Sequence, residues 1–281
     1  MTSYSDDRVK KTSKVPQTAQ SIEEPDKNSR AAFSTTVAKA LSILEILASS
    51  SDAGINLTEL STALNMPKST AYRYLATLLE LNLAERDGAE RFRLGTKVIE
   101  LAGSFLASSD IRKESEPILE EMAEKTGETI HLAVPSGSEV VYIAKEETKH
   151  TLGMSSHIGT RLPMRCTALG KSILAFSGPD LVQAVFSEPP QSRTPNTIIS
   201  NNALREELVL IRTQGYAVDN EENEIGIRCV GAPILDYTGR AIAAMSISGP
   251  CERMDQARCI QLGPVLWEAV LKISKRKGYS G

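Results

Sequence analysis

Few features of this 281-residue chain announce a chemistry. Aromatic residues make up only 5% of it, with one tryptophan, and there are three histidines and four cysteines. The cysteines, at 166, 229, 251 and 259, form no CxxC pair, and His131, His150 and His157 stand far from most of them, so the spacing supports no metal site. Cysteines in this pattern read as reduced thiols of a cytoplasmic protein. Apolar runs approaching the roughly 20 residues of a membrane helix are missing, and the N-terminal segment is polar where a signal peptide carries an apolar core. The expectation is a protein neither exported nor membrane-spanning. Excess charge is missing too. Thirty-two Lys and Arg stand against 35 Asp and Glu, a formal net charge of -3, so no whole-molecule basic field points to nucleic acid and any DNA-binding surface must be local. GxSxG, glycine-rich phosphate loops and HExxH do not occur, which argues against an enzyme and against a bound cofactor. What remains is a globular profile, 41% hydrophobic and 24% charged, with length enough for two ordinary domains.

Residues 1 to 33 mix charged and hydroxyl side chains with scattered prolines, and cannot bury enough apolar surface to offset the entropy of ordering. They read as a disordered tail. The cluster Arg8, Lys10, Lys11 and Lys14 leaves two roles open, a solvating leader or an arm along a DNA backbone.

From Ser34 the pattern becomes helical, with Val37, Ala40, Leu41, Leu44, Leu47 and Ala48 predicting one buried face. Asn56 three residues before Glu59 is the arrangement by which a side chain and a carboxylate cap a helix start. The short helix that follows buries Leu57, Leu60 and Leu64, and Asn65 suits the left-handed residue that ends it. Pro67 suits the first turn of a third helix over about 67 to 81, with Ala71, Leu75, Leu78 and Leu79 inward and Ser69, Tyr72, Arg73 and Ala76 outward. Two short helices across a tight turn form a helix-turn-helix, which would enter a major groove N-terminus first. Leu83 to Leu94 reads as a hairpin around Asp87 and Gly88, the wing of a winged helix. Of the basic residues between 34 and 95, only Lys39 lies outside the third helix and hairpin, which hold Lys68, Arg73, Arg86, Arg91 and Arg93. That placement argues for DNA, although a solvated polar face remains the plainer alternative.

Beyond the wing, Val98, Leu101, Ala102, Phe105 and Leu106 mark a helix over 97 to 109, and Ile111, Ile118, Leu119 and Met122 a second one to about 125. Strands are expected at 129 to 134 and 139 to 145 around a Pro135, Ser136, Gly137 turn, then at 150 to 156, 216 to 219, 227 to 235 and 240 to 248. Helices are expected near 168 to 177, 179 to 187, 201 to 214 and 253 to 276, the last packing through Ile260, Leu266, Val270 and Ile273. Strand pairs interspersed with helices predict an α+β domain with a largely antiparallel sheet. Thr167 can cap the helix opening Ala168, Leu169, Gly170, leaving an amide-rich end suited to an anion. Glu221, Glu222 and Glu224 read as a solvated acidic loop.

The chain resembles the IclR family of bacterial transcriptional regulators, through KALSILEIL at 39 to 47, MPKSTAYRYLATL at 66 to 78, FRLG at 92 to 95, GETIHLAV at 127 to 134, HIGTRLPMRCTALGKSILA at 157 to 175 and GYAVDNEENEIGIRCVGAPILD at 215 to 236. The resemblance implies an α+β protein of two domains, a winged helix-turn-helix at 34–95 joined by a linker helix at 96–109 to an effector-binding domain at 110–281 similar to GAF and PAS folds. It further implies a ligand-responsive regulator, with repression the commoner mode, acting as a homodimer or dimer of dimers on a palindromic double-stranded operator. Ser69, Thr70, Tyr72 and Arg73 then read bases and phosphates, and Lys68 and Arg91 hold phosphates. The effector pocket carries over to Met154, Ala168, Leu169, Asp219, Ile227, Cys229, Ser246 and Ser248. Those residue types suit a small organic acid, its carboxylate on the amides near Ala168 and Leu169, its other oxygens near Ser246 and Ser248, and Asp219 accepting from a hydroxyl. The linker helix could instead pack within its own domain, and the two serines could be satisfied by neighbouring backbone. Two rival functions stand beside this one. In the first, the N-terminal domain binds protein instead of DNA; in the second, an enzyme uses Cys229 or Cys166 as nucleophile, His157 as base and Asp219 as orienter.

Overall fold

The computed structural model describes residues 34–50, 54–108, 110–147 and 156–281. The chain divides into two compact units, the first ending at Ala107 and the second beginning at Ser108. The expected tail, residues 1 to 33, lies outside the described residues.

The first unit holds α1 (Thr35–Ser49), α2 (Leu57–Ala63), α3 (Lys68–Glu80), β1 (Ala84–Arg86), β2 (Phe92–Leu94) and α4, which starts at Lys97 and runs to Ser108. The capping pattern acts as its spacing predicts. Asn56 Oδ1 accepts the Thr58 and Glu59 amides at 2.9 and 3.0 Å, while Glu59 accepts the Asn56 amide at 3.0 Å. Asn65 takes a φ of 46°, and Pro67 precedes the first residue of α3 instead of occupying it. Ile43, Leu47, Leu60, Leu75, Leu78 and Phe92 form the core.

Two details depart from expectation. Val37 and Leu41 are 67% and 56% exposed, so only the C-terminal part of α1 reaches the core; the seven-residue α2 is too short to cover a 15-residue neighbour. In the wing the left-handed residue is Glu90, with a φ of 59°, and not Gly88. Asp87 organises this longer loop, its Oδ1 accepting the Ala89 and Arg91 amides at 2.9 and 3.0 Å. An isolated bridge between Ile55 and Phe92 ties the hairpin to the segment entering α2.

The second unit comprises α5 (Asp110–Thr126), β3 (Thr129–Ser136), β4 (Glu139–Glu146), β5 (Arg161–Pro163), α6 (Ala168–Ala175), α7 (Pro179–Ser187), α8 (Asn201–Gln214), β6 (Ala217–Asn220), β7 (Ile227–Leu235), β8 (Ala241–Pro250) and α9 (Gln256–Arg276). Among the described residues its strands run in the order β5-β4-β3-β8-β7-β6, antiparallel at every pairing. Helices α5 and α9 pack against the sheet and each other, and α6 packs against the sheet and α8. Side chains alternate across the sheet, so Ala244, Ser246 and Ser248 of β8 share one face. Ala244 joins Leu169 and Ile173 of α6 in the core there. Gly215, with a φ of 85°, ends α8 as expected.

Pro135 and Ser136 continue β3, leaving a tighter turn at Gly137, whose φ is 61°. Positions 150 to 155 of the expected strand lie outside the described residues, and Ser156 is not in a strand. The edge strand beside β4 is β5, which the pattern missed because three residues ending in proline make a weak signal. Ile260 is 58% exposed, and α9 packs instead through Leu266, Val270 and Ile273.

Candidate functional site

Strand register sets the floor of the site. Thr129 on β3 lies opposite Ser248 on β8, Ser248 opposite Cys229 on β7, and Cys229 opposite Asp219 on β6, a polar row across four strands. The next row brings together His131, Ser246 and Gly231. Gly231 is required by what lies above it. A Cβ there would stand 2.6 Å from the backbone carbonyl of Ala168 and 2.8 Å from the Leu169 amide nitrogen, so only glycine lets the start of α6 rest on the sheet. Thr167 caps that start, its Oγ1 accepting the Gly170 amide at 3.1 Å and donating to the Pro163 carbonyl at 2.8 Å. Among the described residues the Ala168 and Leu169 amides are left without an acceptor, as the first groups of a helix are.

Helix start and polar row enclose a cavity of about 410 Å³. Ala168, Leu169, Asp219, Ile227, Cys229, Ser246 and Ser248 all line it, whereas Met154 lies outside the described residues. Ser246 and Ser248 are buried, with their hydroxyl oxygens 3.4 Å apart. The lining also includes Tyr142, Ser156, Thr160 and Arg193, which periodicity and motif did not nominate. Arg193 is exposed and rides on a loop that the Asp219 turn holds in place. Thr194 Oγ1 donates to the Glu221 carbonyl at 2.6 Å, Thr197 Oγ1 to the Glu222 carbonyl at 2.7 Å, and Arg193 Nε to the Asn223 carbonyl at 3.4 Å. The prolines around this loop erase any periodic signal that could have marked it.

Burial, with repulsion from Glu222, pushes the Asp219 carboxyl up to about 7, and its Oδ1 accepts the Glu222 amide at 2.7 Å. Glu222 is itself 4% exposed, which corrects the expectation of a solvated loop at that residue, while Glu224 is exposed. Its carboxylate accepts from Lys171 Nζ on α6; that lysine is fully buried and also reaches Glu207 at 3.3 Å. A buried ammonium needs a carboxylate partner, and that demand draws Glu222 inward. Burial pushes the Cys166 thiol up to about 12 and the Cys229 thiol well above its ordinary range. Both stay protonated at neutral pH, which removes the activated thiolate that the enzyme alternative needs.

On the first unit, Lys68, Ser69, Tyr72 and Arg73 are exposed over the first turns of α3, and Thr70 is half-buried. Among the described residues neither Lys68 nor Arg73 forms an ion pair. Arg91, expected on a phosphate, has partners within its own unit. Its Nε and NH2 donate to the Gly54 carbonyl at 3.1 and 2.6 Å, and NH2 lies 3.4 Å from Glu59, so the guanidinium fastens the wing to the loop before α2. Arg86 and Arg93 are paired with Glu90 and Asp87 at 2.9 and 3.2 Å.

A winged helix-turn-helix followed in the same chain by an α+β unit with a polar, metabolite-sized cavity is the make-up of a two-domain transcription regulator. The IclR helix-turn-helix domain model matches residues 36–88, and the model of the bacterial transcriptional regulator IclR C-terminal region matches residues 103–275. The chain belongs to the IclR family of bacterial transcriptional regulators, and the relatives it resembles are regulators, not enzymes. It is 37% identical over 247 residues to the HTH-type transcriptional regulator KdgR of Escherichia coli, covering 87% of this chain and 93% of that protein. The crystal structure of Thermotoga maritima IclR matches at a TM-score of 0.72 and 37% identity over 87% of this chain and 99% of that one. An IclR homologue from Microbacterium hydrocarbonoxydans, crystallised with 4-hydroxybenzoate, matches at a TM-score of 0.74 and 25% identity over 86% and 98%. Among the described residues no helix is long and apolar enough to cross a membrane.

Proposed function

We propose that this regulator holds operator DNA through Lys68, Ser69, Thr70, Tyr72 and Arg73, and that a small organic acid in the sheet cavity switches it. The observation that carries the reading is one cavity faced by the start of α6, the Arg193 side chain and the hydroxyls of Ser246 and Ser248. Unmatched amides at a helix start favour a carboxylate, and the guanidinium adds charge of the right sign. Asp219 sits where it exchanges a hydrogen bond with a ligand hydroxyl. Its raised pKa lets it keep a proton near neutrality, which limits repulsion of an anion. The 4-hydroxybenzoate bound by the Microbacterium relative is of this chemical class.

Ile99 and Leu101 on α4 are 72% and 57% exposed, apolar side chains of the linker helix that a second copy would cover. Two copies present two recognition helices to half-sites about 34 Å apart, and a ligand that favours one linker arrangement changes that spacing. The test couples fluorescence anisotropy on fragments upstream of this and adjoining genes to calorimetry with a panel of hydroxy, oxo and aromatic acids. Arg73→Ala should weaken specific binding by about 1 to 3 kcal/mol, and Lys68→Ala should weaken specific and non-specific DNA alike. Ser246→Ala should cost about 0.5 to 3 kcal/mol of acid affinity and leave ligand-free DNA binding alone. Unchanged DNA affinity in both α3 variants refutes the reader surface, and an effector without an acid group refutes the carboxylate assignment.

A further inference from the structure

His131 is buried on β3, directly across from Lys145 on β4 and Ser246 on β8. Its ring stacks on Tyr142 with centroids 4.4 Å apart, which fixes the plane of the imidazole. Nε2 lies 2.8 Å from Ser156 Oγ, and Lys145 Nζ donates to the Ser156 carbonyl at 2.7 Å. Two cross-strand neighbours therefore grip one cavity-lining serine, one by its hydroxyl and the other by its backbone.

We infer that Ser156 is a specificity-determining donor of the cavity and that His131 is the positioning residue that directs its hydroxyl inward, an inference that rests on the small-acid reading above. The argument turns on where the imidazole keeps its proton. Burial, with the nearby Lys145 charge, holds His131 neutral, its pKa lowered to about 3, so one ring nitrogen carries a proton and the other a lone pair. Nδ1 is buried and has no partner among the described residues. A proton there would be an orphaned buried donor, which proteins avoid more strictly than an under-used acceptor. The proton therefore belongs on Nε2, and Ser156 Oγ accepts it. A hydroxyl that already accepts from the wall keeps its own proton for the cavity, where it favours a ligand oxygen that only accepts, as a carboxylate or oxo group does.

The full-length protein, labelled with 15N-histidine, gives the first readout. The ring signals of His131, identified by their loss in His131→Gln, should show the Nε2–H tautomer; the Nδ1–H tautomer overturns the inference without reference to any ligand. Calorimetry with pyruvate, lactate and 4-hydroxybenzoate gives the second. For the acid that binds, Ser156→Ala should lower affinity about tenfold or more, as loss of a hydrogen bond to a charged group does. His131→Leu should match it, whereas His131→Gln, which keeps an N–H near the position of Nε2, should stay within about threefold of the parent. A merely structural role predicts neither the tautomer nor the rescue by glutamine. Parent-like affinity in Ser156→Ala overturns this inference and leaves the small-acid reading intact. If none of the acids binds the parent, the small-acid reading fails, and the ligand role of Ser156 fails with it.

Discussion

Replacing Lys171 by methionine tests the electrostatic support under the cavity. The side chain is fully buried, so methionine fills a similar volume, and the effect reports on charge more than on packing. What remains is the Glu222 carboxylate, whose side chain is 5% exposed, with no cation beside it; Glu207, at 26%, can turn to water. Breaking one side of a buried pair costs about 3 to 5 kcal/mol, a large share of a typical domain's stability. The loss should depend on pH. Burial already raises the Glu222 carboxyl above its ordinary 4.5 despite Lys171, and removing the ammonium raises it further. An acid whose folded pKa is raised destabilises the fold as pH climbs from the unfolded value through the folded one, so the deficit should be larger at pH 8 than at pH 5. The single tryptophan, Trp267 on α9, stacks near Phe176 at 6.0 Å and reports on the second unit alone, so its fluorescence in urea isolates the relevant transition. Lys171→Met with Glu222→Gln should recover to within about 2 kcal/mol of the parent, since exchanging a whole pair is far milder than halving it. A single variant within about 1 kcal/mol of the parent at pH 8, or a double variant no better than the single, would refute the reasoning.

Three further outcomes are expected. Gly231→Ala places a methyl 2.6 Å from the Ala168 carbonyl, so α6 must withdraw; we expect a loss of about 1 to 3 kcal/mol in the Trp267 transition together with weaker acid binding, and parent-like values in both would contradict the close approach. Asp219→Asn should flatten the pH dependence of stability. Between its ordinary 3.8 and about 7 the folded carboxyl keeps a proton that the unfolded chain has lost, so the parent loses up to about 4 kcal/mol across that window relative to asparagine, and superimposable pH profiles would count against it. Arg91→Ala should reduce hydrogen-exchange protection in α2 and the wing while leaving the salt slope of non-specific DNA binding unchanged; intact protection with a shallower slope would return Arg91 to a phosphate.

Elements whose cause lies within a few residues were legible before the fold was known. The Asn56 and Glu59 cap, the Asn65 and Gly215 stops, and the span of β7 depend on neighbours along the chain, and local chemistry settles them. The reader helix was legible for the same reason, and the cavity residues were named through family motifs, not through periodicity. What stayed hidden depends on distance. Lys171 meets Glu222 across 51 positions, Gly231 is forced by a helix start more than 60 residues earlier, and His131 finds Ser156, 25 positions on, only once the chain beyond β4 returns to the sheet. Arg193 faces the cavity because Thr194 and Thr197 fasten its loop to the Asp219 turn. Val37 and Leu41 carry the right spacing, yet among the described residues both stay largely exposed. Periodicity states which face of an element is apolar; which face, charge or hydroxyl then meets a partner is decided by packing, because burial and pairing energies exist only once distant segments share a volume.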